Sequence, residues 1–506
     1  MFYGRNPATG QELAPALHAA SPEDLERAAQ LASAAAAPCA RIGGRARGVF
    51  LRRVAECLEA MQAELVERAV QETALAKARI EGELGRTCLQ WRFFAALVEE
   101  GSWVDARLDQ ARDAAGAPVG PAIRSLLAPL GPVAVFGASN FPLAFSVAGG
   151  DTAAALAAGN PVIVKAHPAH PGTSELAAQA VAAAVRDAGM PAGAFSLLFD
   201  AGIEVGTALV MHPALRAVGF TGSQRAGRHL MDVAAARPQP IPVYAEMGSL
   251  NPVFILPRAL AERGAEIAAA LHQSVTQSAG QFCTKPGVVV VGEGADGWVA
   301  QLASTLAAAP AFTLLSDGIA AQYRSGAEAR SGLGAVQTLV APGSGPGEGA
   351  AGAAALFQTG AAAFLAAPEL AEELFGPSTL LVRPQTPAEL MAVAWSLSGH
   401  LTATVFATGA DLLEYDELLP LLASRVGRVV VNGVPTGVAV CDAMVHGGPY
   451  PATSDGRSSS VGAQAMLRFV RPVCYQGVPD YALPAELQDA NPLRIWRRLD
   501  GQLTAP

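Results

Sequence analysis

A chain of 506 residues, 51% of them hydrophobic and only 16% charged, has too much apolar material for disorder and suits roughly two to four packed domains. Its net charge is −9 and its Lys and Arg residues never form a dense block, which excludes the electrostatic footprint of a nucleic-acid binder. The six cysteines show no CxxC pairing and no ligand spacing with the eight histidines, which argues against a disulfide framework or a zinc site.

The N-terminal MFYGRNPATGQELAP has neither a basic start nor an apolar core, so no secretory signal is expected and the protein is expected to be cytoplasmic. Residues 21–37 and 47–101 read as long helices, the first opened by Ser21 as N-cap, Pro22 at the first helical position and an acidic first turn. The longest weakly charged stretch, 126–164, carries only Asp151. Prolines at 129, 132, 142 and 161 and the Gly149-Gly150 pair break it before about 18–20 apolar residues accumulate, so no membrane span is expected. Short strands alternate with Ala-rich helices instead: strand 133–136, a helix to 158, strand 162–164, helix 173–188, then strands near 196–198 and 217–220. That alternation predicts βαβ units and a parallel sheet buried on both faces. After Pro240 the rhythm restarts with strand 252–256, helix 258–277, strand 287–291 and a helix from about 297. Residues 305–365, including the loop GSGPGEGAAGAAA at 343–355, give only weak strand signals. Strands return at 379–382, 402–406 and 428–431. A Gly/Pro/Ser loop at 447–457, a short helix and a strand-like 469–475 follow, which read as an arm rather than a third core.

Four segments can carry chemistry. The strand 217–220 runs into Thr221-Gly222-Ser223 and a helix, whose open N–H groups suit a phosphate or form an ordinary βα turn. In Gln277-Ser278-Ala279-Gly280-Gln281-Phe282-Cys283 the cysteine is either a nucleophile at a turn of free N–H groups or a small buried hydrophobe. The other five cysteines read as the latter. Glu246, in Tyr244-Ala245-Glu246-Met247-Gly248-Ser249-Leu250-Asn251-Pro252, has the apolar surroundings of a general base, or is a loop acid. Asn140, after a strand end in Ala138-Ser139-Asn140-Phe141-Pro142, either faces a ligand or caps a helix.

In this order the motifs resemble the aldehyde dehydrogenase superfamily across nearly the whole chain. They are Asn140-Phe141-Pro142, Val162-Ile163-Val164-Lys165, Phe220-Thr221-Gly222-Ser223, Glu246-Met247-Gly248, Gly280-Gln281-Phe282-Cys283 and Glu373-Leu374-Phe375-Gly376-Pro377. The resemblance implies an α/β fold with two doubly wound parallel-sheet domains and a β oligomerisation arm. The dinucleotide domain would span 1–106 and 130–246, the catalytic domain 247–457, the arm 107–129 and 458–480, and a tail 481–506. It also implies that Cys283 attacks an aldehyde, that Asn140 and the Cys283 N–H hold the oxyanion, and that Glu246 activates water on the resulting thioester. NADP or NAD would meet Lys165, His167, Gly222, Ser223, Met247, Gly248, Glu373 and Phe375, with no metal. Partners would be a small aldehyde and further copies of the chain, as homodimer or homotetramer.

Departures from the family pattern narrow this. Pro168 stands where most members carry the acid that binds the adenosine 2′-OH, so NADP becomes acceptable, with Lys165, His167 and His170 as candidate cations, the two histidines being otherwise loop residues flanking Pro168 and Pro171. Together with Gly82-Glu83, Arg86-Thr87, His446-Gly447-Gly448-Pro449-Tyr450-Pro451 and Arg468-Phe469, this resembles the branch that oxidises 2,5-dioxopentanoate (α-ketoglutaric semialdehyde) to 2-oxoglutarate. The alternatives are an NADP-dependent fatty or aliphatic aldehyde dehydrogenase and, in another class, a non-redox thiol hydrolase or acyltransferase. The last lacks an evident histidine partner, His272 being the nearest in sequence to Cys283. A substrate carboxylate needs a cation, and Arg92 is the candidate, or else a surface arginine.

Overall fold

A computed structural model of the chain describes residues 1–343 and 349–506, so the Gly-rich loop noted at 343–355 lies partly outside the described residues. Five strands form the first sheet, in the spatial order Phe195–Leu198, Val162–Lys165, Val133–Phe136, Ala217–Thr221, Val243–Glu246, all parallel. Alternate residues along each strand serve opposite faces. Val133, Val135, Val162 and Val164 pack with the helices Gly44–Ala60, Lys77–Glu100, Gly150–Ala157 and Pro171–Asp187. Ala134, Phe136 and Ile163 pack with Pro22–Ala40, Glu204–Met211 and Gln224–Ala235.

The second sheet has seven strands, ordered Gln337–Val340, Ala355–Gly360, Ser378–Arg383, Val288–Val291, Val253–Ile255, His400–Phe406, Val426–Val431, and only the first runs antiparallel to its neighbour. It too is covered on both faces: Phe254, Val288 and Val290 point into one core, Val253, Val289 and Val291 into the other. Two sheets buried on both sides account for the low charge. A third, five-stranded sheet joins Val470–Gln476, Ile123–Pro129, Arg107–Asp109, Arg497–Leu499 and Gln502–Thr504. Its last two strands come from the expected tail, because Arg498 and Leu499 pair in register with Arg107 and Leu108.

The helix expected over 47–101 is three helices, Gly44–Ala60, Gln62–Thr73 and Lys77–Glu100. The second break follows from tertiary demand. Buried Glu72 accepts hydrogen bonds from the N–H groups of Gly172 and Thr173, capping the helix Pro171–Asp187, and Ala74 turns into the left-handed region at φ 54°. The strand Val243–Glu246 and the hairpin Phe2–Arg5 with Glu12–Leu17 were not expected from the sequence. No helix among the described residues is long and apolar enough to cross a membrane.

After the second sheet the chain comes back to the first. The N–H of Met247 donates to Ala452 O (2.7 Å) and that of Ser454 to Ala245 O (2.9 Å), with Glu246 bridged antiparallel to Thr453. Further on, Arg468 and Asp151 form a buried ion pair at 2.6 Å that ties the segment Ala463–Phe469 to the helix Gly150–Ala157.

Candidate active site

Parallel strands end on one edge of a sheet, and ligands of open α/β folds bind there. Along that edge of the first sheet stand Lys165, the turn leading to Asn140, Thr221-Gly222-Ser223 and Glu246, on four adjacent strands. The three strand spacings between Lys165 and Glu246 give about 15 Å, room for two linked nucleotides.

Glu246 ends its strand facing the loop that carries Cys283, and the returning segment brings His446 between them. Cys283 Sγ lies 3.4 Å from His446 Nε2, and that nitrogen lies 2.9 Å from Glu246 Oε1. A carboxylate oxygen of Glu246, the Cys283 sulfur and a ring nitrogen of His446 all fall within 4.8 Å of one another. Ser460 donates its hydroxyl to Glu246 Oε2 at 2.7 Å, whereas Oε1 accepts no well-directed hydrogen bond from any described residue. Burial pushes the Glu246 carboxyl up, but His446 and Ser460 outweigh it and hold it below the usual carboxylate range. The Cys283 thiol goes the other way: burial first, then the charges of Glu246 and Glu373, raise it well above the ordinary thiol value, with Arg428 opposing.

The loop that carries Cys283 is fixed from below. Fully buried Asn251 donates its amide to the carbonyls of Cys283 (2.8 Å) and Lys285 (3.0 Å), and its own oxygen accepts from the Ser249 and Thr402 hydroxyls. Gly280, at φ +66°, allows that loop to approach the backbone of 376–377, where a Cβ would sit 2.4 Å from Gly376 O. Asn140 donates its amide to Gln281 O at 3.0 Å, which sets it beside the same loop. Glu83 holds the Asn140 segment in turn, accepting from the N–H groups of Leu143 and Ala144 at 2.8 Å each.

Glu373 stands against Gly248, where a Cβ would meet its Oε2 at 2.4 Å. Burial raises the Glu373 carboxyl, opposed by the Lys285 charge. Lys285 is itself buried and donates to the carbonyls of Leu374 and Ser378, fixing the loop that carries Glu373 and Phe375. Met247 is buried against Gly227, next to the helix Gln224–Ala235 whose N-terminus is open, Gly222 and Ser223 being exposed. Ser223 caps that helix through its hydroxyl, accepting from Ala226 N–H. An uncovered helix N-terminus and a buried lysine on one sheet edge are donors suited to a dinucleotide's phosphates.

Not every expected residue falls in place. Arg92 lies on the outer face of its helix, 41% exposed, with both Nη atoms 2.6 Å from the Glu59 carboxylate, and it does not reach the site. His170 is buried, with Nε2 2.9 Å from Ala138 O, and is not free for a phosphate. His167 accepts the Ala169 N–H through Nδ1, and burial with the His170 and Lys165 charges holds its imidazole well below the ordinary value, so it is neutral at pH 7. Of the three expected cations only Lys165 remains, lowered by burial and partly restored by Asp200. Cys441 and Cys474 are exposed, in a loop and on an edge strand, rather than buried. His272 takes no part in the cluster around Cys283, and the objection that this cysteine lacks a histidine does not hold in three dimensions. Only the position of His446 in a Gly-Gly-Pro loop marked it in the sequence.

The model of the aldehyde dehydrogenase family matches residues 2–317. The chain is 50% identical to alpha-ketoglutaric semialdehyde dehydrogenase 2 of Azospirillum brasilense, covering 98% of this chain and 95% of that one. It is 43% identical to the alpha-ketoglutaric semialdehyde dehydrogenase of Acinetobacter baylyi, covering 95% and 92%. Among solved structures it is similar in fold to lactaldehyde dehydrogenase from Escherichia coli, with a TM-score of 0.81 at 20% identity over 94% and 95% of the two chains. With a thiol, an imidazole and a carboxylate gathered at the sheet edge that suits a dinucleotide, the chain belongs to the aldehyde dehydrogenase family and is an NAD(P)-dependent enzyme that oxidises an aldehyde.

Proposed function

We propose that the enzyme oxidises 2,5-dioxopentanoate to 2-oxoglutarate with Cys283 as nucleophile. The contact of Cys283 with His446, backed by Glu246, carries the chemical part of this proposal, and the two near-full-length relatives support the substrate. NADP or NAD, held by Lys165, Ser223, Gly248, Glu373 and their neighbours, supplies the hydride acceptor. His446 takes the thiol proton, with the Glu246 carboxylate balancing the imidazolium. The thiolate attacks the aldehyde carbon, and the oxyanion meets the Asn140 amide and the Cys283 N–H. Once hydride has left, the thioester remains on Sγ. Glu246 then draws a proton from water as it attacks. Pro168 sets no carboxylate against a 2′-phosphate, so both coenzymes are accepted. Assembly is through the five-stranded arm sheet, as a homodimer or homotetramer.

A panel of 2,5-dioxopentanoate, pentanal and hexanal against both coenzymes, followed at 340 nm, tests this. The keto-acid is expected to have the highest kcat/KM, and Cys283→Ser to lose about 10⁴-fold or more. Faster turnover of hexanal would replace this substrate with a fatty aldehyde.

A further inference from the structure

The helix Lys77–Glu100 turns Arg79, Glu83 and Arg86 toward the site. The Arg79 charge is used up: Nη1 pairs with Glu83 and Nη2 donates to Asn140 O at 3.2 Å. Arg86 has no carboxylate within salt-bridge distance among the described residues. It donates Nε to Val438 O (3.2 Å) and Nη1 to Gln90 Oε1 (3.4 Å), while its buried Nη2 has no partner. Its guanidinium lies 5.0 Å from the Phe145 ring centroid, and that ring stands 6.2 Å from the His446 imidazole, which touches Cys283. Phe141 packs edge-on against both Phe145 and Phe282, each at 5.2 Å. The result is an aromatic wall beside the thiol with a cation along it, suited to a short aliphatic chain that ends in an anion.

We propose that Arg86 is the specificity residue that receives the substrate's distal carboxylate, through its unpartnered Nη2. The assignment rests on the keto-acid substrate proposed above. Arg86 lies close enough to Cys283 to feel its charge, and burial makes an uncompensated guanidinium costly until an anion joins it. Arg428 is the competitor, since it also senses Cys283, but both of its Nη atoms already donate to the carbonyls of Gly437 and Pro435, which leaves only its Nε without a partner. A bidentate pair with a carboxylate is therefore open to Arg86 at less cost.

Wild type, Arg86→Met, Arg86→Lys and Arg428→Met should be compared on 2,5-dioxopentanoate against pentanal, and on 4-oxobutanoate against butanal. Arg86→Met is expected to lose about 30-fold or more in kcat/KM on each carboxylated aldehyde, and at least tenfold less on its uncharged partner. Arg86→Lys should lie between, because an ammonium cannot make the bidentate pair. Equal losses on charged and uncharged aldehydes, or a discrimination lost in Arg428→Met instead, would overturn the assignment. If Arg86→Met does not fold, the charged-to-uncharged ratio in Arg86→Lys decides, and a ratio equal to wild type overturns it. A wild type that prefers pentanal refutes the substrate proposal, while the 4-oxobutanoate pair still reads Arg86.

Discussion

Compare the cluster around Cys283 with the proposed adenosine end of the site. Cys283, Glu246 and His446 come from three distant segments and are held by buried or partly buried contacts at 2.7–3.4 Å, with Asn251 and Ser460 beneath them. Lys165, His167 and Pro168 sit within a few residues of one strand end, where Pro168 is exposed and His167 half-buried. Changes at the first end disturb a mutually supporting network. Changes at the second touch one local turn. On the proposed roles, coenzyme choice is separable from the chemistry, and substitutions can test how far that separation goes.

After the loss of Cys283 itself, His446→Gln has the largest expected effect, a loss of about 10²–10³-fold in kcat/KM. Its signature is in pH dependence. The Cys283 thiol is raised by burial and by Glu246, so without a neighbouring base its thiolate forms only at higher pH. Alkylation of Cys283 by iodoacetamide, measured against pH without coenzyme, should rise at a higher midpoint in His446→Gln than in wild type. An unmoved midpoint would deprive His446 of its role. Lys165→Met comes next: it should weaken NADP about tenfold or more in KM while changing NAD less, the chemistry at saturating coenzyme staying close to wild type. A fall in kcat matching the rise in KM would join the two ends and break the comparison. Pro168→Glu should shift preference toward NAD by several-fold, read as the ratio of kcat/KM values for the two coenzymes, and an unchanged ratio would place the 2′-phosphate elsewhere. Arg92→Ala belongs to neither end. Its exposed pair with Glu59 is worth about 1 kcal/mol or less, so thermal unfolding and substrate discrimination should barely move.

Much of this was legible because its signals are local. Alternating apolar strands and Ala-rich helices located the first sheet: 133–136, 162–164 and 217–220 all fall inside observed strands. The motifs around Asn140, Glu246 and Cys283 mark turns at strand or helix ends, which short spacing can reveal. His446 was illegible for the opposite reason, since its partner Cys283 is 163 residues away and only the return of the chain to the first sheet joins them. Arg92 and Arg86 are six positions apart on one helix, and only tertiary packing tells which faces the thiol. The break at Ala74 likewise follows from Glu72 reaching a helix about a hundred residues on, a demand that no local propensity encodes.

The antiparallel pairing of Ala245, Glu246 and Met247 with 452–454 has a consequence for biosynthesis. The strand that ends in Glu246 and the loop that carries Cys283 leave the ribosome long before His446 does. Until that last segment docks, neither the thiol nor Glu246 has the His446 imidazole beside it. A nascent or C-terminally clipped chain therefore carries Cys283 without the imidazole proposed as its base, and the pair of thiol and base exists only once folding is complete.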